Sequence, residues 1–164
     1  MTSKITIRGA VIEDAPLLLE FIRGLAEYEH LQDQVEATVE DLRQTIFIDK
    51  RAEALIAEYQ GDPAGFALFF HNYSTFKGKA GIYLEDLFVK PGLRGNGIGK
   101  ALLEHITGIA ARRGCGRLEW ACLNWNAPSI AFYKSMGAAP LSDWTVYRLT
   151  EDKIISGPCF RPND

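Results

Sequence analysis

Apolar residues recur along this chain with two periods, and the switches between them mark out its elements. Ile5 and Ile7 read as a short first strand, and Leu17, Leu18, Phe21, Ile22 and Leu25 then recur at helical spacing behind Asp14, a residue suited to cap that helix. Thr38-Val-Glu-Asp41 has the form of a capping box and opens a second helix with Val39, Leu42 and Ile46 inward. Three extended segments follow, Glu53 to Tyr59, Ala64 to Tyr73 and Ile82 to Val89, the first two joined by a short hairpin turn at Gly61-Asp-Pro63. They are expected to pair antiparallel. Ile98, Leu102, Leu103, Ile106 and Ile109 predict a helix ending near Gly114, and Arg117 to Leu123 a strand. Asn126-Ala-Pro-Ser129 starts a further helix, which Gly137 ends in the left-handed conformation, and Thr145 to Leu149 supplies a last strand. The order is strand, two helices, three strands, then helix, strand, helix, strand, which predicts one mixed α/β (α+β) domain over residues 1–155 and a tail at 156–164.

Composition narrows the class of partner. The chain has 164 residues, 47% hydrophobic and 24% charged, the profile of an ordinary globular domain with a core. Lys and Arg number 18 against 21 Asp and Glu, a formal charge of -3, so no global field favours nucleic acid or an anionic membrane. Arg112, Arg113 and Arg117 read as a solvated helix C-terminus. The longest apolar run, Ala64 to Phe70, is seven residues against the roughly twenty a membrane helix needs. The N-terminus lacks an export signal, so the expected location is cytoplasmic. Cys115, Cys122 and Cys159 form no CxxC pair and read as packing residues, and no His stands at metal-ligand spacing, so no metal is expected.

The chemistry-bearing segment is Arg94-Gly95-Asn96-Gly97-Ile98-Gly99, between a strand pattern and an amphipathic helix. Small residues there let the backbone turn tightly and aim unpaired N–H groups at one point, which suits phosphate. It is not a Walker A loop, because Ala101 follows Lys100, and its GxGxG spacing is not the dinucleotide fingerprint. A glycine-rich turn without a ligand is the plainer alternative.

That loop after Tyr83-Leu-Glu-Asp-Leu-Phe-Val89 resembles the acetyl-CoA pyrophosphate loop of the GNAT superfamily of N-acetyltransferases. Asn124-Trp-Asn-Ala-Pro-Ser-Ile-Ala-Phe-Tyr-Lys134, closed by Met136-Gly-Ala138, resembles the same superfamily's second motif. More narrowly, Leu25-Ala-Glu-Tyr-Glu29, His71-Asn-Tyr-Ser-Thr-Phe76 and Trp144 to Leu149 are similar to the spermidine/spermine and thialysine acetyltransferase subgroup and its plant ornithine-acetylating relatives. The resemblance spans about residues 4–150. It implies the GNAT fold, a mostly antiparallel sheet of six or seven strands flanked by about four helices, with a splayed strand pair binding CoA. It also implies main-chain contacts from Leu87, Phe88 and Val89 to pantetheine and a pyrophosphate cradle from Gly95 to Lys100, with Arg94 adding charge. Asn126 and Ser129 would be polar contacts, and Lys134 alone would reach the 3′-phosphate, where the animal enzymes carry more basic residues. A homodimer is implied as well.

Acetyl transfer from a thioester to an amine needs a neutral amine, a polarised carbonyl and a proton for the departing thiolate. An amine of pKa about 10.4 is neutral in roughly one molecule in two thousand at pH 7, so a base or a desolvating site must raise that fraction. Strict alternation over Ile82 to Val89 puts Glu85 and Asp86 on opposite faces and in different environments. One of the two attracts or deprotonates the amine, directly or through water, and the other has a structural part. Both could also be ordinary strand carboxylates. The resemblance favours Glu85 as substrate ligand and base, and places Tyr133 as the acid that protonates the thiolate, against the alternative of a core tyrosine. It further matches Tyr28, Glu29, Asp86, Glu119, Trp120 and Ala121 to positions that touch substrate. Between residues 20 and 41, Glu20, Glu27, Glu29, Asp33, Glu36, Glu40 and Asp41 stand against Arg23 alone, which suits a polycation or is simply a solvated face. The expected function is acetyl-CoA-dependent acetylation of a polyamine, diamine or diamino acid. The competing readings are a protein or peptide N-acetyltransferase and a CoA-binding regulatory module without turnover.

Overall fold

The computed structural model describes residues 4–158. Cys159 and the end of the expected tail lie outside them. The chain divides into two compact units, Met1–Leu123 and Asn124–Asp164.

The first unit is built on one sheet in sequence order, β1 (Ile5–Gly9), β2 (Glu53–Tyr59), β3 (Asp62–Ser74), β4 (Lys79–Val89) and β5 (Leu118–Glu119). β2–β3 and β3–β4 pair antiparallel, as expected; β1–β2 is antiparallel as well, and β4–β5 is parallel. The β2–β3 turn is shifted from its expected place. Tyr59 pairs with Asp62, so Gln60 and Gly61 alone form it, with φ of 56° and 95°. Positive φ at both central residues is what a two-residue hairpin turn requires, because its twist then matches the strands.

Between β1 and β2 run α1 (Ala15–Tyr28) and the short α2 (Val39–Leu42), which continues into a π-type turn, Arg43–Ile48. The capping box forms: the Thr38 N–H donates to Asp41 Oδ2 at 2.8 Å and the Asp41 N–H to Thr38 Oγ1 at 3.2 Å. Asp14 behaves otherwise than expected. It precedes α1 without capping it through its side chain, and its carboxylate instead accepts from the Val11 N–H and from Arg8, both within 2.8 Å. Leu18, Phe21, Leu42 and Ile46 bury against Ile56, Phe66 and Phe88 on one sheet face. Helix α3 (Ile98–Arg112) inters Ile98, Leu102, Leu103 and Ile106. Its C-terminal neighbour Arg113 grips Glu53 with two bonds of 2.6 and 2.7 Å and donates to His71 Nε2 at 2.9 Å, so this histidine ties α3 to the sheet.

The second unit contains α4 (Ala127–Ser135) and the short α5 (Glu151–Ser156), the latter unexpected. Asn126 caps α4 through a bond from the Ser129 N–H at 3.4 Å. Gly137, at φ 87°, closes it: the Gly137 and Ala138 N–H groups bond Lys134 O and Tyr133 O, at 3.0 and 3.1 Å. Thr145–Leu149 does not form the expected strand among the described residues, which leaves a sheet of five strands where six or seven were anticipated. Residues 145–149 are exposed along their whole length.

Candidate active site

β4 is the axis of the site, and a bulge decides what it presents. Leu68 pairs with Asp86 and Phe69 with Leu84, so Glu85 is the extra residue. The hydrogen bonds record the consequence. The Ile82 N–H donates to Arg117 O on the β5 side, whereas the Lys90 N–H donates to Ala64 O beside β3, at 3.0 and 2.9 Å. In an unbroken strand both even-numbered residues would face the same neighbour. The bulge reverses that parity and turns the main-chain groups of Leu87 and Val89 toward the β5 edge. On that edge the parallel ladder ends at Tyr83–Glu119, so β4 runs on to Val89 beyond the last rung. The family resemblance implies a splayed strand pair at this edge.

The two acids stand in different environments, as alternation predicts: Glu85 is exposed and Asp86 half-buried, although the charge of Glu85 still acts on Asp86. Asp86 shares a face with Phe88, and Phe88 packs where Gly24 of α1 lacks a side chain, a Cβ there standing 2.8 Å from the ring. Asp86 therefore faces the last turn of α1, which ends at Tyr28 and Glu29. Burial first, then Glu85 and Glu29, push the Asp86 carboxyl up to about 7. Burial likewise raises the Glu29 carboxyl, and burial together with Glu29 raises the Cys122 thiol. A thiol held protonated is a poor nucleophile, in keeping with its reading as a packing residue.

At the far end of β4, Pro91–Leu93 forms a single 3-10 turn and Arg94 resumes extended backbone. Gly95 and Gly97 then take φ of 81° and 82°. Gly97 is the residue before α3 and offers no side-chain cap, so the first turn of that helix, Ile98, Gly99 and Lys100, points its N–H groups out of the helix. A Cβ on Gly95 would meet nothing within 4 Å. Open space, an uncapped helix start and left-handed glycines together fit a diphosphate. Asn96 acts within the loop: its Nδ2 donates to Leu93 O at 3.0 Å, and its Oδ1 accepts from the Tyr59 hydroxyl at 3.4 Å. Lys100 pairs with Glu104 at 3.8 Å.

The remaining expected residues divide between the units. Glu119 pairs with Arg117 and receives a long bond from Asn72; Trp120 is half-buried and Ala121 exposed. In the second unit Asn126 is buried, Ser129 and Tyr133 half-buried, and Lys134 exposed, with the Tyr133 ring 5.3 Å from that of Phe132. Among the described residues no three His, Cys, Asp or Glu side chains gather as a metal would need, and no helix is long and apolar enough to cross a membrane.

A short parallel pair followed by a glycine loop and an uncapped helix start defines a mixed α/β protein with an anion-suited turn, and comparison with known proteins gives its family. Residues 18–138 match the Acetyltransferase (GNAT) family. The chain belongs to that family and is an acetyltransferase. It is 38% identical over 156 residues to the thialysine N-epsilon-acetyltransferase of Bos taurus, covering 88% of this chain and 91% of that one. It is 36% identical over 121 residues to the L-ornithine N5-acetyltransferase NATA1 of Arabidopsis thaliana, covering 74% of this chain and 50% of that one. Among solved structures, the integron cassette protein VCH_CASS6 from the mobile metagenome of V. cholerae superposes with a TM-score of 0.77 at 26% identity, covering 92% and 94% of the two chains.

Proposed function

We propose that this chain transfers acetyl from acetyl-CoA directly to the primary amine of a small polyamine, diamine or diamino acid. The observation that carries this reading is the acidic group Glu29, Glu85 and Asp86, gathered where β4 bulges, on the strand that leads into the glycine loop. Loop residues Gly95 to Lys100 hold the diphosphate through the N–H groups at the start of α3, with Arg94 adding charge, and Leu87, Phe88 and Val89 present main chain to the pantetheine arm. The Val89 N–H, turned to the open edge, polarises the thioester carbonyl.

Asp86 and Glu29, with Tyr28, receive the cationic amine. A bound ammonium favours ionised Asp86, so the amine displaces the proton that this carboxyl otherwise carries near neutral pH. Glu85, exposed at the bulge, takes the proton from the ammonium through water. The amine nitrogen then attacks the carbonyl carbon, the carbon–sulfur bond breaks, Tyr133 protonates the departing thiolate, and the second proton lost by the nitrogen returns through water to the phenolate; a phenol of pKa about 10 is still protonated at pH 7 and can start this exchange. Glu119, Trp120 and Ala121 extend the amine site, and Asn126, Ser129 and Lys134 the CoA site, as in the family resemblance. We further propose that the protein works as a homodimer in the cytoplasm.

The experiment is acetyl-CoA consumption with spermidine, putrescine, ornithine, lysine, thialysine and a basic peptide. The expected result is turnover with at least one small amine, lost in Glu85→Gln and reduced in Tyr133→Phe. Flat activity over the small amines with CoA still bound overturns the assignment, and turnover confined to the peptide replaces it.

A further inference from the structure

One contact joins two parts of the site that have separate jobs. Arg94, first residue of the glycine loop, is exposed, yet its side chain is held at two points. Its Nε donates to Val89 O at 3.1 Å, and its guanidinium carbon lies over the Tyr28 ring, 4.3 Å from the centroid. Tyr28 is the last residue of α1, beside Glu29. Its place follows from Gly24: four residues apart on a helix, the two share a face, and the missing side chain at Gly24 lets that face press on Phe88 of β4. Lys90 braces the same junction, with Nζ 3.6 Å from Glu20 and 5.5 Å from the Phe21 ring centroid. The guanidinium is thus stacked on the helix that walls the amine side and bonded to the strand end that presents the thioester.

An arginine free in solvent loses rotamer freedom when a diphosphate captures the loop it belongs to. One already stacked and bonded has lost much of that freedom before the ligand arrives. We propose that Tyr28 is a positioning residue for the glycine loop: by seating Arg94 on its ring it sets the loop for CoA, so a side chain of the amine wall contributes to cofactor affinity. This rests on the loop being the CoA site, as in the proposed function. Anything that draws Tyr28 toward a bound amine then also moves Arg94, and linkage makes the two affinities interdependent.

The test is calorimetric binding of CoA itself, without amine or turnover, to the wild type, Tyr28→Phe, Tyr28→Leu, Arg94→Gln and the double variant Tyr28→Leu/Arg94→Gln. Tyr28→Leu removes the π face and is expected to raise the Kd about two- to fivefold, the span of an exposed cation–π contact, while Tyr28→Phe keeps wild-type affinity. The double variant is expected to match Arg94→Gln alone, because the tyrosine acts through the arginine. Should Tyr28→Leu prove poorly folded by its melting temperature, Tyr28→Met carries the same expectation. Unchanged affinity in the leucine or methionine variant, or full additivity in the double, overturns the proposal. A wild type that does not bind CoA at all sinks the function assigned to the loop instead, and the two failures are told apart in the first titration.

Discussion

Asp86 is an acid placed where acids are least at ease, facing the end of α1 with Glu85 and Glu29 as neighbours. Its carboxyl, raised to about 7, is far above the roughly 3.9 of an unfolded chain. Between those two values the folded state holds a proton that the unfolded state releases, so this group makes stability fall as pH rises from about 4 to 7 and costs its full amount above that. Asp86→Asn removes the cost. The variant is expected to be more stable than wild type at pH 8, by on the order of 2–4 kcal/mol and so with a higher melting temperature, and to lose most of that advantage at pH 4.5. It is also expected to turn over cationic amines more slowly, a trade of activity for stability. An equal change in melting temperature at both pH values would show that Asp86 is not the strained group. Neither the bulge nor the burial was legible in Leu84-Glu-Asp-Leu87, where alternation alone separates the two acids. A bulge is settled by the register of two distant strands, and no glycine marks this one.

Glycines show how far elements can be read from local chemistry. The loop glycines Gly95 and Gly97 and the helix-ending Gly137 were legible because each serves its immediate neighbours, a tight turn or a left-handed cap, and their motifs carry the signal. The capping box at Thr38–Asp41 was legible for the same reason. Asp14 departs from its expected capping role because Arg8 on β1 and the Val11 N–H, both upstream of it, claim its carboxylate. Gly24 and Gly65 went unremarked because what they make room for lies far along the chain. A Cβ on Gly65 would stand 2.3 Å from Phe88 O, a backbone atom that cannot swing aside. Gly65→Ala is therefore expected to force β3 and β4 apart beside Val89. Overpacking of this kind costs about 1–3 kcal/mol. The expected readings are a melting temperature lowered by several degrees and a raised KM for acetyl-CoA. A gain in stability, as for an unhindered Gly→Ala change, would mean the strands close differently there.

At the scale of the whole molecule, the unplaced piece is Trp144-Thr-Val-Tyr-Arg-Leu149. Its residues favour strand, yet Trp144 and Tyr147 are exposed by 79% and 92%, with Val146 and Leu149 exposed beside them. Burying side chains of this size stabilises by about 1.5–3 kcal/mol each, and a chain that leaves several in water at one place gains most by covering them. Sequence shows the strand propensity but cannot show the partner, since pairing depends on an edge supplied from elsewhere. A second copy of the chain is the cover that the proposed homodimer provides. Sedimentation at micromolar concentration is expected to give a mass about twice the 18.3 kDa of one chain. Val146→Asp with Tyr147→Ser is expected to shift the protein to monomer while leaving α4, whose caps are local, folded. Two outcomes separate the possibilities: a wild type that sediments as a monomer removes the dimer, and a double variant that stays dimeric moves the interface away from this segment.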